Sequence, residues 1–138
     1  MTRKVVIAAV VFGVAILPAR LLLGAQYQTP QDRPLDPMVQ AWDNGPDKID
    51  VSRYPAEIKR KYKVFSDLCA RCHPLARAIN CDFALEDDWE RYIKRMMRRG
   101  RSLITPDQAL QSFEFAVFDS KIRKKELYER KLREASRQ

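Results

Sequence analysis

The longest apolar stretch of the chain lies at its N-terminus. It runs from Val5 to Ala19, is interrupted by Arg20 and continues from Leu21 to Ala25. These 21 residues would form about 30 Å of helix, which is enough to cross a bilayer. We therefore predict a transmembrane anchor over residues 1–25.

The same stretch also has features of a secretory signal peptide. Arg3 and Lys4 provide a basic start, and Leu23-Gly24-Ala25 is an imperfect cleavage site. Cleavage would release a soluble protein. Retention is the prediction we adopt; it keeps Arg3 and Lys4 in the cytoplasm and places the rest of the chain across the membrane.

Residues 26–54 form a predicted linker. They contain four prolines, Pro30, Pro34, Pro37 and Pro46. Prolines at this spacing disrupt long helices and the interiors of sheets. We expect extended chain here, which would carry the following domain away from the anchor.

The first helical pattern starts at Pro55, a residue that suits the first turn of a helix. Apolar side chains then recur at intervals of three and four residues, at Ile58, Tyr62, Phe65 and Cys69. Pro74 is expected to end this helix directly after His73, because the residue before a proline avoids the helical region.

Two further helical patterns follow. The first, from Glu86 to Gly100, has an apolar stripe formed by Trp89, Ile93, Met96 and Met97. The second begins with Thr105 as N-cap and Pro106 in the first turn, and Gln108 completes a capping box. The three patterns predict a small all-α, three-helix domain over residues 55–119, with a long C-terminal helix.

The last segment, residues 120–138, is a predicted basic helical tail. It has eight Lys and Arg residues against three Glu, a net charge of +5. Two interpretations stay open for it: a helix that docks on an acidic protein partner, and a solvated helix without a partner.

The whole chain of 138 residues is basic, with 26 Lys and Arg against 18 Asp and Glu and a net charge of +8. The cations are spread along the chain, and no nucleic-acid-binding motif accompanies them. The charge therefore favours an acidic protein partner or a membrane surface and gives no reason to expect a nucleic acid.

One short motif carries the chemistry. Cys69-Ala70-Arg71-Cys72-His73 is a C-x-x-C-H sequence, which is typical of covalent haem attachment. Residues three apart share a helix face, so both thiols can add to vinyl groups at one edge of a flat macrocycle. His73, the single histidine, can then bind the iron from below. We predict one haem c held by Cys69, Cys72 and His73.

A thiol pair or part of a zinc site is the alternative for the same residues. Zinc takes about four ligands, and Cys81 is the only further cysteine. We therefore favour haem over zinc. Cys81 itself is predicted to be a small buried residue, with an intermolecular disulfide as the alternative.

The iron would need a second axial ligand. With no second histidine, methionine is the natural choice. Two of the four methionines lie in the predicted anchor and linker, whereas Met96 and Met97 follow the haem motif. We predict Met96, because it continues the stripe of Trp89 and Ile93, with Met97 as the alternative.

These residues together resemble a known family. Cys69-x-x-Cys72-His73, then Trp89 and Met96 seven residues apart, then a Thr-Pro-capped last helix, are similar to the monohaem class I type cytochromes c. The closest likeness is to short, membrane-anchored members that accompany bacterial respiratory or photosynthetic complexes. The resemblance covers about Tyr54 to Lys125.

The resemblance implies the iron ligands and shows two departures. In the family a CxxCH histidine and a downstream methionine bind the iron, and they correspond here to His73 and Met96. The usual Ser or Thr cap before the Trp helix is replaced by Ala84-Leu85-Glu86, and the basic tail has no counterpart.

The implied function is one-electron transfer and not enzymatic catalysis. The protein would be a subunit of, or partner to, an electron-transfer complex, held by a single span in the cytoplasmic membrane with its haem domain on the periplasmic side. A soluble periplasmic shuttle after signal cleavage is one alternative. A haem enzyme or sensor with an open sixth position is less favoured, because no distal histidine exists.

Overall fold

A computed structural model describes residues 34–100 and 103–137, which form helices and no strand. The described helices are α1 (Pro37–Asp43), α2 (Ala56–Cys69), α3 (Leu75–Asn80), α4 (Glu86–Gly100), α5 (Pro106–Arg123) and α6 (Lys125–Ala135). The all-α prediction is confirmed for this part of the chain. The predicted anchor, residues 1–25, lies outside it. Within the described ranges, no helix combines the length and hydrophobicity needed to span a membrane.

The prediction of extended chain has to be corrected for residues 37–43, which form α1. Asp36 caps this helix, since its Oδ1 accepts a hydrogen bond from the Met38 amide at 2.8 Å, and Pro37 occupies the first turn. An Asp-Pro pair is a good helix start. The prolines of the linker outweighed this signal in the prediction. Helix α1 is also only seven residues long, so it leaves little pattern in the sequence.

The rest of the described linker is also attached to the domain. Ile49 is buried in the core, and its amide donates to the Tyr62 hydroxyl at 3.1 Å. The Asn80 side-chain amide donates to the carbonyls of Trp42 and Pro46, at 3.1 and 3.0 Å. These contacts tie residues 42–49 to α2 and α3, so this part of the linker is not a free tether.

The region around the C-x-x-C-H motif also differs from the prediction. Helix α2 ends at Cys69, and Cys72 and His73 lie in the turn that follows. Pro74 then precedes α3, a helix that the sequence patterns did not predict, and α3 buries Ala76, Ala78 and Ile79. A helix of six residues is too short for the apolar period to reveal it.

Helix α4 has the predicted bounds, and its start compensates for the missing Ser or Thr cap. The Asp88 carboxylate accepts hydrogen bonds from the amides of Ala84 and Leu85, at 3.2 and 3.3 Å. In a capping box, the side chain of the third helical residue accepts a hydrogen bond from the backbone amide of the N-cap residue. Asp88 makes this half of the motif. The three acidic residues of the first turn, Glu86, Asp87 and Asp88, also suit the helix dipole.

Helix α5 has the predicted capping box. The Gln108 amide donates to Thr105 Oγ1 at 3.2 Å, and the Thr105 amide donates to Gln108 Oε1 at 3.1 Å. Helices α2 and α4 both pack on α5, while α1 packs on α3. Trp89 and Phe115, at 1% and 0% exposure, lie in the core that these helices enclose.

The long C-terminal helix is interrupted at Lys124, which separates α5 from α6. Its ammonium turns inward and donates to the carbonyls of Cys81 and Phe83, at 2.6 and 3.1 Å. It also lies 5.3 Å from the centre of the Trp89 ring. Burial lowers the pKa of Lys124, and the two carbonyls and the ring compensate for lost hydration.

The predicted tail, residues 120–138, is partly integrated into the domain. Ser120 is completely buried. Lys121 pairs with Glu86 at 2.7 Å and Lys131 with Asp88 at 2.9 Å, both at the acidic start of α4. The sequence could not show that part of this positive charge is used within the chain, because the partners lie more than 30 residues away.

Candidate functional site

A cleft of about 510 Å³ opens beside the end of α2, with α4 and α5 forming part of its wall. The four side chains predicted to hold a haem, Cys69, Cys72, His73 and Met96, all line it. They come from three different local structures: the last residue of α2, the turn after it, and the middle of α4. Much of the remaining wall is apolar, formed by Val39, Trp42, Leu68, Phe83, Ile93 and Ile104.

The two cysteines of the motif have different surroundings. Cys69 is partly buried and Cys72 is exposed, and neither forms a disulfide. Burial, with smaller contributions from the neighbouring Cys81 and Cys72, raises the pKa of the Cys69 thiol to about 12. Cys69 therefore stays a neutral thiol at physiological pH, facing the cleft, while Cys72 lies where the cleft meets solvent.

His73 has a defined orientation. Its Nδ1 lies 3.0 Å from the Pro74 carbonyl, and its Nε2 lies 3.1 Å from the Tyr92 hydroxyl. Since a carbonyl can only accept, Nδ1 carries the proton and Nε2 accepts from the tyrosine. The lone pair of Nε2 is thus directed toward the Tyr92 hydroxyl in the cleft wall. Nδ1 donates to a backbone carbonyl, as the nitrogen that does not bind the metal commonly does in metal-binding histidines.

Met96 and Met97 are placed differently. Met96 lines the cleft, and Met97 is not among the residues of its wall. Successive residues on a helix point about 100° apart, so Met96 and Met97 cannot both face the cleft. This placement agrees with the prediction of Met96, although it does not test iron binding.

Three arginines also line the cleft. Arg77 is neutralised by Asp43, with two hydrogen bonds of 2.7 and 2.5 Å; this contact lowers the pKa of Asp43 and raises that of Arg77. Arg95 and Arg99 lie one turn apart on α4, and neither forms a salt bridge with the residues that the structure describes. An anionic group in the cleft would relieve the repulsion between them.

The turn that carries Cys72 is hydrogen-bonded to the segment between α4 and α5. Arg71 donates through Nη1 to the carbonyl of Leu103 at 2.8 Å. This contact links the C-x-x-C-H turn to the segment between α4 and α5. The position of the motif against α4 therefore depends on a hydrogen bond across 32 residues.

Several wall residues were not anticipated from the sequence. Tyr92 is buried, and burial raises its pKa; its spacing of three from Trp89 and four from Met96 was a signal that could have identified it. Arg95 and Arg99, one turn apart on α4, were not named as site residues from the sequence. Cys81 is buried, as predicted, and it also lines the cleft.

Despite this concentration of sulfur and nitrogen ligands, residues 34–100 and 103–137 contain no group of three or more His, Cys, Asp or Glu side chains close enough to hold a metal ion. No protein-family model, no curated protein and no solved structure matches the chain.

Proposed function

We propose that this protein transfers single electrons through one covalently attached haem c. The observation that carries the proposal is the shared cleft: both cysteines of the C-x-x-C-H motif, its histidine and Met96 all line it. Residues 69–73 and residue 96 are far apart in sequence, so the motif alone did not require them to meet.

The chemistry of the wall fits a haem. A haem is a flat apolar ring with two vinyl groups and two carboxylates. The cleft offers a mainly apolar wall for the ring, thiols of Cys69 and Cys72 for the vinyl groups, and Arg95 and Arg99 for the carboxylates. Its volume of about 510 Å³ lies within the range of cofactor sites.

Each residue then has a defined role. Bound haem would supply an iron that alternates between the ferrous and ferric states. Cys69 and Cys72 would hold the ring, and the Pro74 carbonyl would keep the His73 proton on Nδ1, so that Nε2 could bind iron in place of the Tyr92 hydroxyl. Met96 would close the sixth position, and His/Met ligation favours a raised reduction potential.

The route for the electron follows from exposure. Cys72 is exposed, whereas Cys69 is largely covered. The edge attached at Cys72 would therefore be the one nearest to solvent and to a redox partner. Arg71 is exposed next to Cys72, and the chain has a net charge of +8, so we propose that the partner is an acidic surface of a membrane electron-transfer complex.

The basic tail contributes less to binding a partner than its net charge alone indicates. Lys121 and Lys131 already pair with Glu86 and Asp88, so they contribute less to an external surface. Attachment to the cytoplasmic membrane through residues 1–25, with the haem domain on the periplasmic side, remains part of the proposal and concerns residues outside the described ranges.

Covalent attachment is the direct test of this function. The full chain should be produced in a bacterial host that matures cytochromes c, and then extracted with acidified acetone. We expect the colour to stay on the protein, and the double variant Cys69→Ser/Cys72→Ser to lose it. Cys81→Ser is the matched control, because this thiol lines the same cleft outside the motif. Haem that extracts freely from the unmodified chain, or an unaffected double variant, would refute the proposal.

A further inference from the structure

A buried hydroxyl in the cleft wall has no hydrogen-bond partner. Ser112, on α5, is 1% exposed, and its Oγ has no partner among the residues that the structure describes. Buried hydroxyls are normally satisfied, and a serine inside a helix commonly bonds to the carbonyl four residues before it. Since Ser112 lines the cleft, its unused donor is available to a group inside the cleft.

The register of α4 and α5 indicates which group this is. The Trp89 indole N–H donates to Ser120 Oγ at 2.9 Å, and Lys121 pairs with Glu86 at 2.7 Å. Both contacts join the beginning of α4 to the end of α5, so the two helices run antiparallel.

Moving two turns from this contact brings Met96 and Ser112 to the same level. Met96 is seven residues after Trp89 and Ser112 is eight residues before Ser120. At 1.5 Å per residue, these steps are about 10 and 12 Å along antiparallel helices. Both side chains also line the same cleft, so they face a common space.

We propose that Ser112 is a positioning residue for the distal ligand, and that in the haem-loaded chain its hydroxyl, which reaches no acceptor among the described residues in this structure, turns to donate a hydrogen bond to the thioether sulfur of Met96. This inference rests on the proposed function. A thioether sulfur is a weak acceptor, and a donor beside it fixes one lone pair and leaves the other for iron. The hydrogen bond also withdraws electron density from sulfur, which favours ferrous over ferric iron.

Other acceptors fit the position of Ser112 less well. The carboxylates of a haem are expected near Arg95 and Arg99, whose side chains are exposed at the cleft. Ser112 is shielded from solvent, where a carboxylate would have a high desolvation cost. A bridging water is a further acceptor, and the test below distinguishes it.

The test compares two buried serines on one helix in the haem-loaded full chain. Ser112→Ala should shift the ratio of ferric to ferrous iron about threefold toward ferric at a fixed ambient potential, as expected of one weak hydrogen bond. This is about 30 mV downward in midpoint potential. Imidazole should displace Met96 about threefold more readily. Ser112→Thr retains the hydroxyl and should restore both values.

Ser120→Ala is the matched control, because the Ser120 hydroxyl is occupied by Trp89. It should lower stability and leave the midpoint potential unchanged. An unchanged midpoint potential in Ser112→Ala, or an equal shift in Ser120→Ala, would overturn the inference. The proposed function would still stand in that case, because it depends on the covalent haem.

A second background separates sulfur from the other acceptors. In a Met96→His chain the sulfur is absent, so adding Ser112→Ala should no longer shift the potential. A shift that persists in this background would mean that Ser112 acts through water or a carboxylate, and would overturn the assignment to Met96. A chain without covalent haem would overturn both proposals together.

Discussion

The antiparallel pair formed by α4 and α5 has two ends that differ in how their polar groups are satisfied. At the closed end, around Trp89 and Ser120, the indole N–H and the serine hydroxyl bind each other, and Lys124 caps two carbonyls. At the open end, around Met96 and Ser112, the helices line a cleft.

The open end keeps its polar groups without internal partners. Ser112 Oγ has none among the described residues, and Arg95 and Arg99 form no salt bridge with them. A buried hydroxyl without a partner, such as that of Ser112, reduces stability, whereas the exposed Arg95 and Arg99 side chains are hydrated. The comparison therefore suggests that the closed end stabilises the domain, and that the open end is arranged for a bound group.

The largest expected effect concerns the open end, at Met96. In the haem-loaded protein, Met96→Leu should abolish the charge-transfer band of a thioether bound to ferric iron, because leucine has similar volume but no ligand atom. Met97→Leu is the control and should keep the band, since Met97 is not part of the cleft wall. Absorption spectroscopy decides the result, and the reverse pattern would assign the ligand to Met97.

The next effect concerns the closed end, at Trp89. This ring is 1% exposed and packs edge-on against Phe65, Phe83 and Tyr92. Trp89→Ala should lower the free energy of unfolding by about 3–5 kcal/mol, because it leaves a cavity. Leu110→Ala, at an exposed position of α5, should change it by less than about 0.5 kcal/mol. Denaturant unfolding measures both; similar losses would contradict the assignment of stability to this end.

The smallest effect is a dependence on pH, also at the closed end. Burial alone would raise the pKa of Asp88, but hydrogen bonds from Lys131 and from the Ala84 and Leu85 amides lower it overall. The stabilisation is therefore complete above the unfolded pKa of about 3.9 and is lost as the pH falls through the lower folded value.

We expect this loss to be about 1 kcal/mol, measured as the free energy of unfolding between pH 5 and pH 2 (~3 pH units across the transition). Asp88→Asn should reduce the slope of this dependence, since the titrating carboxylate is removed. Asp87→Asn is the control, because Asp87 is exposed and, among the described residues, forms an ion pair with Arg91 alone, at 3.9 Å. Equal slopes in both variants would show that Asp88 does not contribute.

Sequence reasoning succeeded where the signal was local. The Thr105, Pro106 and Gln108 start of α5 was recognised because the residues that satisfy one another are three apart. The bounds of α4 followed from its acidic first turn and its apolar stripe. The C-x-x-C-H motif identified three cleft residues for the same reason, since its chemistry depends on the spacing itself.

It failed where neighbours in space are distant in sequence. Helix α1 depends on contacts with α3, and the break at Lys124 depends on carbonyls at Cys81 and Phe83. No period or cap in residues 120–138 indicates that Lys121 and Lys131 pair with α4. The net charge of residues 120–138, +5, therefore overstates the positive charge that the tail offers to an external partner.

The sequence by itself determined which groups could do the chemistry: two thiols, one imidazole and a choice of two thioethers. The tertiary structure decided which of them share a space, because the cleft is lined by residues of all five helices from α1 to α5 and not by those of any one helix. It placed Met96 in the wall and left Met97 out of it, and it set Tyr92 against His73. It also left the Ser112 hydroxyl facing that cleft, since the register of two antiparallel helices is fixed by contacts two turns away, at Trp89 and Ser120.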